Sequence, residues 1–307
     1  MNRNAIIQLV ELWEKKLGSQ KKVAEKCGIN HGALSTILAG KYGADESKML
    51  TKIAVALGYK ESNWQIVPTI NNYRTIAKVV NDAKNESMWF AISNPAGSGK
   101  TKTLEHLFNQ DETGSVILIQ CEEWSGRQFL MQLIKKTVGE EIKGKYKTNM
   151  ELIQLLSDFF NEKQFDKPVL LIDEADKLRP AAFRALIPLY NKTEDRLGVV
   201  LSGTENLEKE IKAGVRLNKK GFDEVHSRIG RNFITLKGAN ENDVNAICLA
   251  NGITPEKYQA IWFELEKVNK MVRVRTEQGE KDAIVEFATD LRRLYRIIKR
   301  EKIKNVS

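Results

Sequence analysis

The chain has 307 residues, of which 42% are hydrophobic and 29% are charged. This length suits one large domain with a smaller one, and the composition excludes a disordered or fibrous chain. No apolar run reaches the roughly 18 residues of a membrane helix, and the N-terminus has no signal-peptide core, so we expect a cytoplasmic protein with no membrane partner. The formal net charge of +9 favours a polyanionic partner such as nucleic acid.

Residues 1–65 have the pattern of a small all-α domain. Apolar residues recur at helical spacing before Gly18, and further glycines mark the ends of the helices that follow. The segment 22–41 resembles the helix-turn-helix of phage repressors, with Gly28 at the tight turn. If its second helix enters a major groove, the first residues of that helix meet base edges. The candidate DNA contacts are Asn30, His31, Ser35, Thr36 and Lys41. A helical bundle used for protein contact is the alternative.

Between residues 66 and 238, apolar strands alternate with amphipathic helices, which is typical of a parallel sheet covered by helices. The predicted strands are Met88–Ile92, Val116–Gln120, Val169–Ile172, Val199–Ser202 and Asn232–Leu236. From about Ala239 the pattern is helical again and increasingly basic. The sequence therefore predicts an α/β domain at 66–238, which follows the helix-turn-helix domain at 1–65 and precedes a short helical lid region at 239–307.

A phosphate-binding loop follows the first predicted strand and opens a helix. Its residues are Asn94, Pro95, Ala96, Gly97, Ser98, Gly99, Lys100 and Thr101. They fit the P-loop pattern except at the first position, where Asn94 replaces glycine; asparagine tolerates left-handed backbone well, so the departure is mild. Backbone N–H groups would curl around phosphate oxygens, Lys100 would reach the β- and γ-phosphates, and Thr101 would hold magnesium. With Thr103 added to the nucleotide-binding set, the predicted cofactors are ATP and Mg²⁺.

The second half of the predicted site follows the buried strand Val169–Ile172. That strand brings Asp173 to its carboxyl end, where ligands collect in open parallel sheets. Asp173 is the candidate magnesium ligand, and Glu174 is the candidate residue that polarises the attacking water. The segment 191–194 resembles a guanine-specificity motif, but it ends in Glu rather than Asp and follows a helical pattern, so ATP remains the predicted nucleotide.

This pair of motifs, a P-loop and then Asp-Glu-Ala-Asp at 173–176, is similar to that of the AAA+ ATPases. The resemblance implies hydrolysis of ATP. The segment 199–206 resembles the family's sensor-1 strand, which implies that Thr204, or alternatively Ser202, contacts the γ-phosphate or the attacking water.

The resemblance also implies two roles for arginines, the arginine finger and the sensor-2 arginine. The segment 226–231 is similar to the one that carries the family's arginine finger, so Arg228 is the first candidate for the finger and Arg231 the second. A finger completes the site of a neighbouring subunit and therefore implies an oligomer. Arg292 is the candidate sensor-2 arginine, although the small residue usual before that motif is absent here.

The order of the three regions resembles the B-protein family of Mu-type transposing phages, which is related to the ATPases of insertion sequences and to helicase loaders. The resemblance implies ATP-dependent and mostly non-specific binding to double-stranded DNA, a helical homo-oligomeric filament, and delivery of target DNA to a transposase in the host cytoplasm. It also implies that basic loops of the ATPase domain hold DNA phosphates. The candidates are Lys143, Lys145, Lys147, Arg216, Lys219 and Lys220.

Two alternatives stay open. A helicase loader would also combine ATP with DNA, but it would bind a replicative helicase and prefer single strands. A helix-turn-helix transcription regulator switched by ATP would bind a defined operator, and it would lose DNA binding if residues 1–65 were removed.

Overall fold

The computed structural model describes residues 2–43, 45–59, 64–138, 147–276 and 279–304. The chain divides into two compact units. The first consists of Met1–Asn63 with Asn109–Val116, and the second of Trp64–Phe108 with Ile117–Ser307. No helix among the described residues is long and apolar enough to cross a membrane.

The described part of the first unit holds four helices around a small apolar core. They are α1 (Arg3–Leu17), α2 (Gln20–Cys27), α3 (His31–Leu38) and α4 (Glu46–Leu57). Each N-terminus is capped by a side-chain oxygen of the preceding residue, and left-handed glycines end α1, α2 and α4. The residues between α2 and α3 are Gly28, Ile29 and Asn30, so a short turn joins these two helices.

The second unit is built on a sheet whose strand order is β1-β4-β3-β2. The strands are β1 (Trp89–Ser93), β2 (Val116–Gln120), β3 (Val169–Asp173) and β4 (Gly198–Gly203). The β1–β4 and β3–β4 pairs are parallel. Every residue of β3 and β4 is buried, as expected of central strands covered by helices. The predicted α/β fold is therefore confirmed.

Helices surround this sheet and continue to the end of the described chain. They are α5 (Asn71–Glu86), α6 (Lys100–Gln110), α7 (Gly126–Thr137), α8 (Asn149–Glu162), α9 (Pro180–Thr193), α10 (Glu205–Arg216), α11 (Phe222–Arg228), α12 (Glu241–Ala250), α13 (Pro255–Glu264) and α14 (Leu291–Lys304). One apolar cluster packs α7, α8 and α9 against the sheet. A second cluster joins α12, α13 and α14 to the residues around Ile70 and Tyr73.

The predicted strand Asn232–Leu236 is wrong as an element of the sheet. Only Ile234 pairs, in a parallel bridge with Ile92. The ladder stops there because β1 turns into the P-loop after Ser93. Two residues further along, the N–H of Leu236 donates to Oδ1 of Asn94 and not to the backbone of a neighbouring strand.

The region after residue 239 contains helices, as predicted, and also an antiparallel hairpin that was not predicted. Its strands are β5 (Lys267–Thr276) and β6 (Gly279–Ala288). Valine and arginine alternate over residues 272–275, which is the period of a strand rather than a helix. The base of the hairpin is fixed by the pairing of Ala288 with Ala239.

Candidate nucleotide site

The P-loop follows β1 and turns sharply into α6. Gly97 and Gly99 have φ angles of +86° and +92°, a region that favours glycine. Space is limited as well, since a Cβ atom on Gly97 would lie 2.3 Å from Oδ1 of Asp290. The N–H of Leu291 donates to the carbonyl of Gly97 at 2.9 Å. The P-loop is thus in direct contact with the start of α14.

Lys100 lies across the loop that it follows. Its Nζ donates to the carbonyls of Asn94 (2.7 Å) and Pro95 (3.1 Å) and to Oγ of Ser98 (3.0 Å). Burial lowers the pKa of Lys100, and the nearby Asp173 carboxylate opposes that shift. An ammonium has three N–H donors, so an arriving phosphate must replace some of these loop contacts.

Thr101 and Asp173 bring the two predicted halves of the site together. Oγ1 of Thr101 donates to Oδ2 of Asp173 at 2.7 Å, and Oγ of Ser202 donates to Oδ1 at 2.9 Å. Burial raises the pKa of Asp173, while these two hydrogen bonds act in the opposite direction. Mg²⁺ prefers oxygen ligands and is held by one or two carboxylates together with substrate phosphates. The hydroxyl of Thr101 and the carboxylate of Asp173 fit that ion.

Thr103 is buried one turn into α6, where its N–H donates to the carbonyl of Gly99 at 3.0 Å. It therefore helps to fix the end of the P-loop. Its backbone belongs to the first turn of the helix that points at the candidate phosphate position.

Glu174 follows Asp173 in the left-handed conformation, with φ of +54°. Its carboxylate forms an ion pair with Nζ of Lys177 at 2.6 Å. Hydrogen bonding to Glu174 raises the pKa of Lys177. The side chain that is predicted to orient water is therefore held by a neighbour three residues along the chain.

The two sensor-1 candidates have different partners. Ser202 contacts Asp173, as described above, whereas Oγ1 of Thr204 donates to Oδ2 of Asp176 at 2.5 Å. Thr204 also accepts from the N–H of Asn206 and so caps α10. Asp176 was not predicted as a site residue, although it is the last residue of the Asp-Glu-Ala-Asp motif. Its carboxylate fixes the turn after β4.

The two arginine-finger candidates differ in exposure. The Arg228 side chain is 15% exposed, and its guanidinium lies 4.8 Å from the ring centroid of Tyr190 and donates to Oδ1 of Asn191 at 2.7 Å. The Arg231 side chain is 53% exposed and pairs with Asp223 at 2.8 Å. Arg228 thus packs within its own subunit, and Arg231 is the more accessible of the two.

Arg292 is exposed in the first turn of α14. Its backbone N–H donates to Oδ1 of Asp290, which caps the helix, and its charge acts to lower the pKa of Lys100. The structure therefore brings this predicted residue into the electrostatic surroundings of the P-loop.

The predicted DNA contacts fall in both units. Asn30, His31, Ser35, Thr36 and Lys41 are all exposed in the first unit, where the Asn30 side chain also caps α3. In the second unit, Arg216, Lys219 and Lys220 are exposed at the end of α10, and Lys147 is half-buried before α8. Lys143 and Lys145 lie outside the described residues.

One further residue at the site carries no sequence signal. Asn72, in the first turn of α5, is 2% exposed, and its Nδ2 donates to the carbonyl of Ser98 in the P-loop at 3.0 Å. Its partners are distant in the sequence, so no motif spacing could have indicated it.

Comparison with known proteins agrees with this geometry. Residues 87–211 match the family model described as "AAA domain". No curated protein matches the chain. Among solved structures, the crystal structure of Cdc6p from Pyrobaculum aerophilum is 14% identical with a TM-score of 0.44, and the match covers 62% of this chain but only 51% of that one. The match over residues 87–211, which is less than half of the chain, shows that this part is similar to an AAA domain, in agreement with its P-loop.

Proposed function

We propose that this chain is an ATP-dependent DNA-binding ATPase of the AAA+ class that assembles on target DNA, delivers it to a transposase and activates that transposase. The proposal that this chain is an ATPase rests on the 2.7 Å hydrogen bond between Thr101 and Asp173, which lies beside the buried Lys100. It joins a P-loop hydroxyl to the carboxylate at the end of β3, and both are needed to hold a nucleotide-bound magnesium ion.

The site residues divide the work of hydrolysis. Lys100 and the loop N–H groups bind the phosphates, while Thr101 and Asp173 hold Mg²⁺. When bound, Mg²⁺ neutralises charge that develops on the phosphates. Glu174 orients the attacking water, and Ser202 keeps the Asp173 carboxylate in place. An arginine from a neighbouring subunit would complete the site, which is why the proposal includes a homo-oligomer.

The DNA half of the proposal is supported by charge and exposure. The chain carries a net charge of +9, and the candidate contacts on α3 are exposed. The basic residues at the end of α10 are exposed too, which suits contact with phosphates regardless of base sequence. The role in transposition is supported by the order of a helix-turn-helix-like unit, an AAA domain and a basic C-terminal region.

The test is binding to random duplex DNA, measured by fluorescence anisotropy across a salt series and by electron microscopy. We would compare ATP, ADP and no nucleotide for the wild type, for Lys100→Ala and for a chain without residues 1–65. ATP-dependent filaments on any sequence, lost in Lys100→Ala and kept without residues 1–65, are the expected result. Stimulation of a purified transposase would then be measured by strand transfer.

The same measurements on a library of defined duplex sequences, on single-stranded DNA and with a replicative helicase separate the alternatives. Binding to one defined sequence, insensitive to ATP and lost without residues 1–65, would replace this proposal with a transcription regulator. Preference for single strands together with binding to a replicative helicase would replace it with a helicase loader.

A further inference from the structure

Two asparagines fasten the P-loop to the chain that leads into the C-terminal region. Oδ1 of Asn94 accepts the N–H of Leu236 at 2.9 Å, and Oδ1 of Asn72 accepts the N–H of Gly238 at 2.9 Å. In extended chain, the N–H groups of alternate residues point to the same side. The segment 236–238 therefore points two backbone N–H groups towards the P-loop. Side-chain amide oxygens accept these hydrogen bonds, where the backbone of a neighbouring strand would otherwise do so.

Each asparagine is tied to the P-loop itself. Asn94 is its first residue, and its own carbonyl accepts a hydrogen bond from Lys100. Asn72 donates to the carbonyl of Ser98, so its amide bridges the loop and Gly238. Both asparagines are buried, at 2% and 7% exposure, so a group that loses its partner here cannot turn to bulk water.

This contact also explains why asparagine replaces the usual glycine at position 94. The tolerance of asparagine for left-handed backbone is not used, because Asn94 is absent from the described residues with positive φ. What is used is the amide oxygen, which glycine lacks.

We infer that Asn72 and Asn94 are positioning residues that hold the P-loop in its phosphate-binding shape by fastening it to the segment 236–238. The inference rests on the proposed function, since it concerns the same nucleotide site. A loop held in this way loses little conformational freedom when nucleotide binds, so the asparagines strengthen binding more than they speed the chemical step.

The segment also has a second connection to the loop. Beyond Gly238 the chain pairs Ala239 with Ala288, and two residues later Asp290 and Leu291 contact Gly97. The P-loop therefore contacts the chain both just before the C-terminal region and at the start of α14.

The test compares Asn94→Gly and Asn72→Ala with the wild type in the full chain. We would measure the Kd of a fluorescent ATP analogue with Mg²⁺ by titration, and kcat for ATP in a steady-state assay. The expected result is a Kd raised about 5- to 30-fold in each variant, with kcat reduced less than about 3-fold. The double variant is expected to be less than additive, because both asparagines hold the same segment.

Asn251→Ala is the matched control. Asn251 is also 2% exposed in the second unit, and its amide exchanges hydrogen bonds with the backbone of Gln65, away from the P-loop. It should lower thermal stability while leaving the Kd within 2-fold of the wild type. If Asn72→Ala does not fold, Asn94→Gly carries the test alone, since glycine is the residue usual at that position.

Two outcomes would overturn the inference without touching the proposed function. One is an unchanged Kd in Asn94→Gly while the wild type binds and hydrolyses ATP. The other is an equal rise in Kd for Asn251→Ala, which would show a general loosening of the unit. A wild type that binds no ATP would instead overturn the proposed function, and the inference with it.

Discussion

Glu174 and Lys177 form an ion pair of 2.6 Å directly after β3, and it joins the residue proposed to orient water to a cation on the same turn of chain. The side chains are 34% and 47% exposed, so the pair is partly screened by solvent. Exposed pairs of this kind contribute about 0–1 kcal/mol. The ion pair is therefore weak enough for a partner or a rise in salt to break it.

Removing the cation should free the carboxylate. We expect Lys177→Met to raise the basal ATPase kcat about 2- to 5-fold, because Glu174 is then available to water, and Lys177→Arg to remain close to the wild type. The measurement is phosphate release at low and high salt. A fall in kcat for Lys177→Met would show instead that the lysine assists the reaction.

Substitutions of Ser202 and Thr204 should have different effects, because the two side chains contact different carboxylates. We expect Ser202→Ala to weaken magnesium-dependent ATP binding or turnover about 5- to 20-fold, in addition to the loss of stability that removal of a buried hydrogen bond to Asp173 causes. Thr204→Ala should mainly destabilise the protein, by about 1–2 kcal/mol, because it removes the cap of α10 and a partner of Asp176. ATPase kinetics and thermal melting of both variants check this, and a reversal of the two patterns would restore Thr204 as the sensor.

Arg228 and Arg231 should also give opposite results. Arg228→Ala removes contacts with Tyr190, Asn191 and the carbonyl of Glu224, so we expect it to lower stability by about 1–3 kcal/mol. Arg231→Ala should leave the melting temperature close to that of the wild type, because its ion pair with Asp223 is exposed, and yet lower kcat at least 10-fold.

A mixing experiment then asks whether Arg231 acts on a neighbouring subunit. Arg231→Ala has an intact P-loop, and Lys100→Ala has an intact Arg231. We expect a mixture of the two inactive variants to recover part of the ATPase activity. No recovery, with full activity of Arg231→Ala alone, would exclude Arg231 as the finger.

Lys16 gives a pH dependence in the first unit. Burial lowers its pKa to about 8, and the Asp111 carboxylate only partly opposes this shift. The folded state therefore binds this proton less tightly than the unfolded state, whose lysine pKa is near 10.5, so this group makes the unit more stable as pH rises from 8 to 10.5.

At neutral pH the burial of this charge therefore lowers the stability of the unit. We expect Lys16→Met to raise the Tm at pH 7 and to lose that advantage near pH 10.5. Lys15→Met, which replaces an exposed neighbour, is the control. An advantage that does not vary with pH would show that added apolar packing, rather than charge, is responsible.

Local signals account for what could be predicted from the sequence. The bounds of β2 were predicted to the residue, because a short apolar run defines this strand. The contact between Thr101 and Asp173 could also be expected, since parallel strands bring their carboxyl ends to one edge.

The features that were missed depend on contacts between distant residues. Asn94 was explained by its backbone, whereas its side chain binds Leu236, which is 142 residues away. The hairpin β5–β6 was missed because the basic helical pattern on either side was extended through it. Thr204 and Arg228 have the right residue types for their predicted roles, but their contacts with Asp176 and Tyr190 join residues that are distant in the sequence.

The strand order has a consequence for synthesis of the chain. β1 carries the P-loop, but its neighbour in the sheet is β4, and the paired residues Trp89 and Val199 are 199 − 89 = 110 positions apart. At about 5–20 residues per second, a ribosome needs roughly 5–20 s to make that stretch. During this time β1 has been made without the strand that pairs with it, so the apolar segment 89–93 is open to a chaperone that binds such segments.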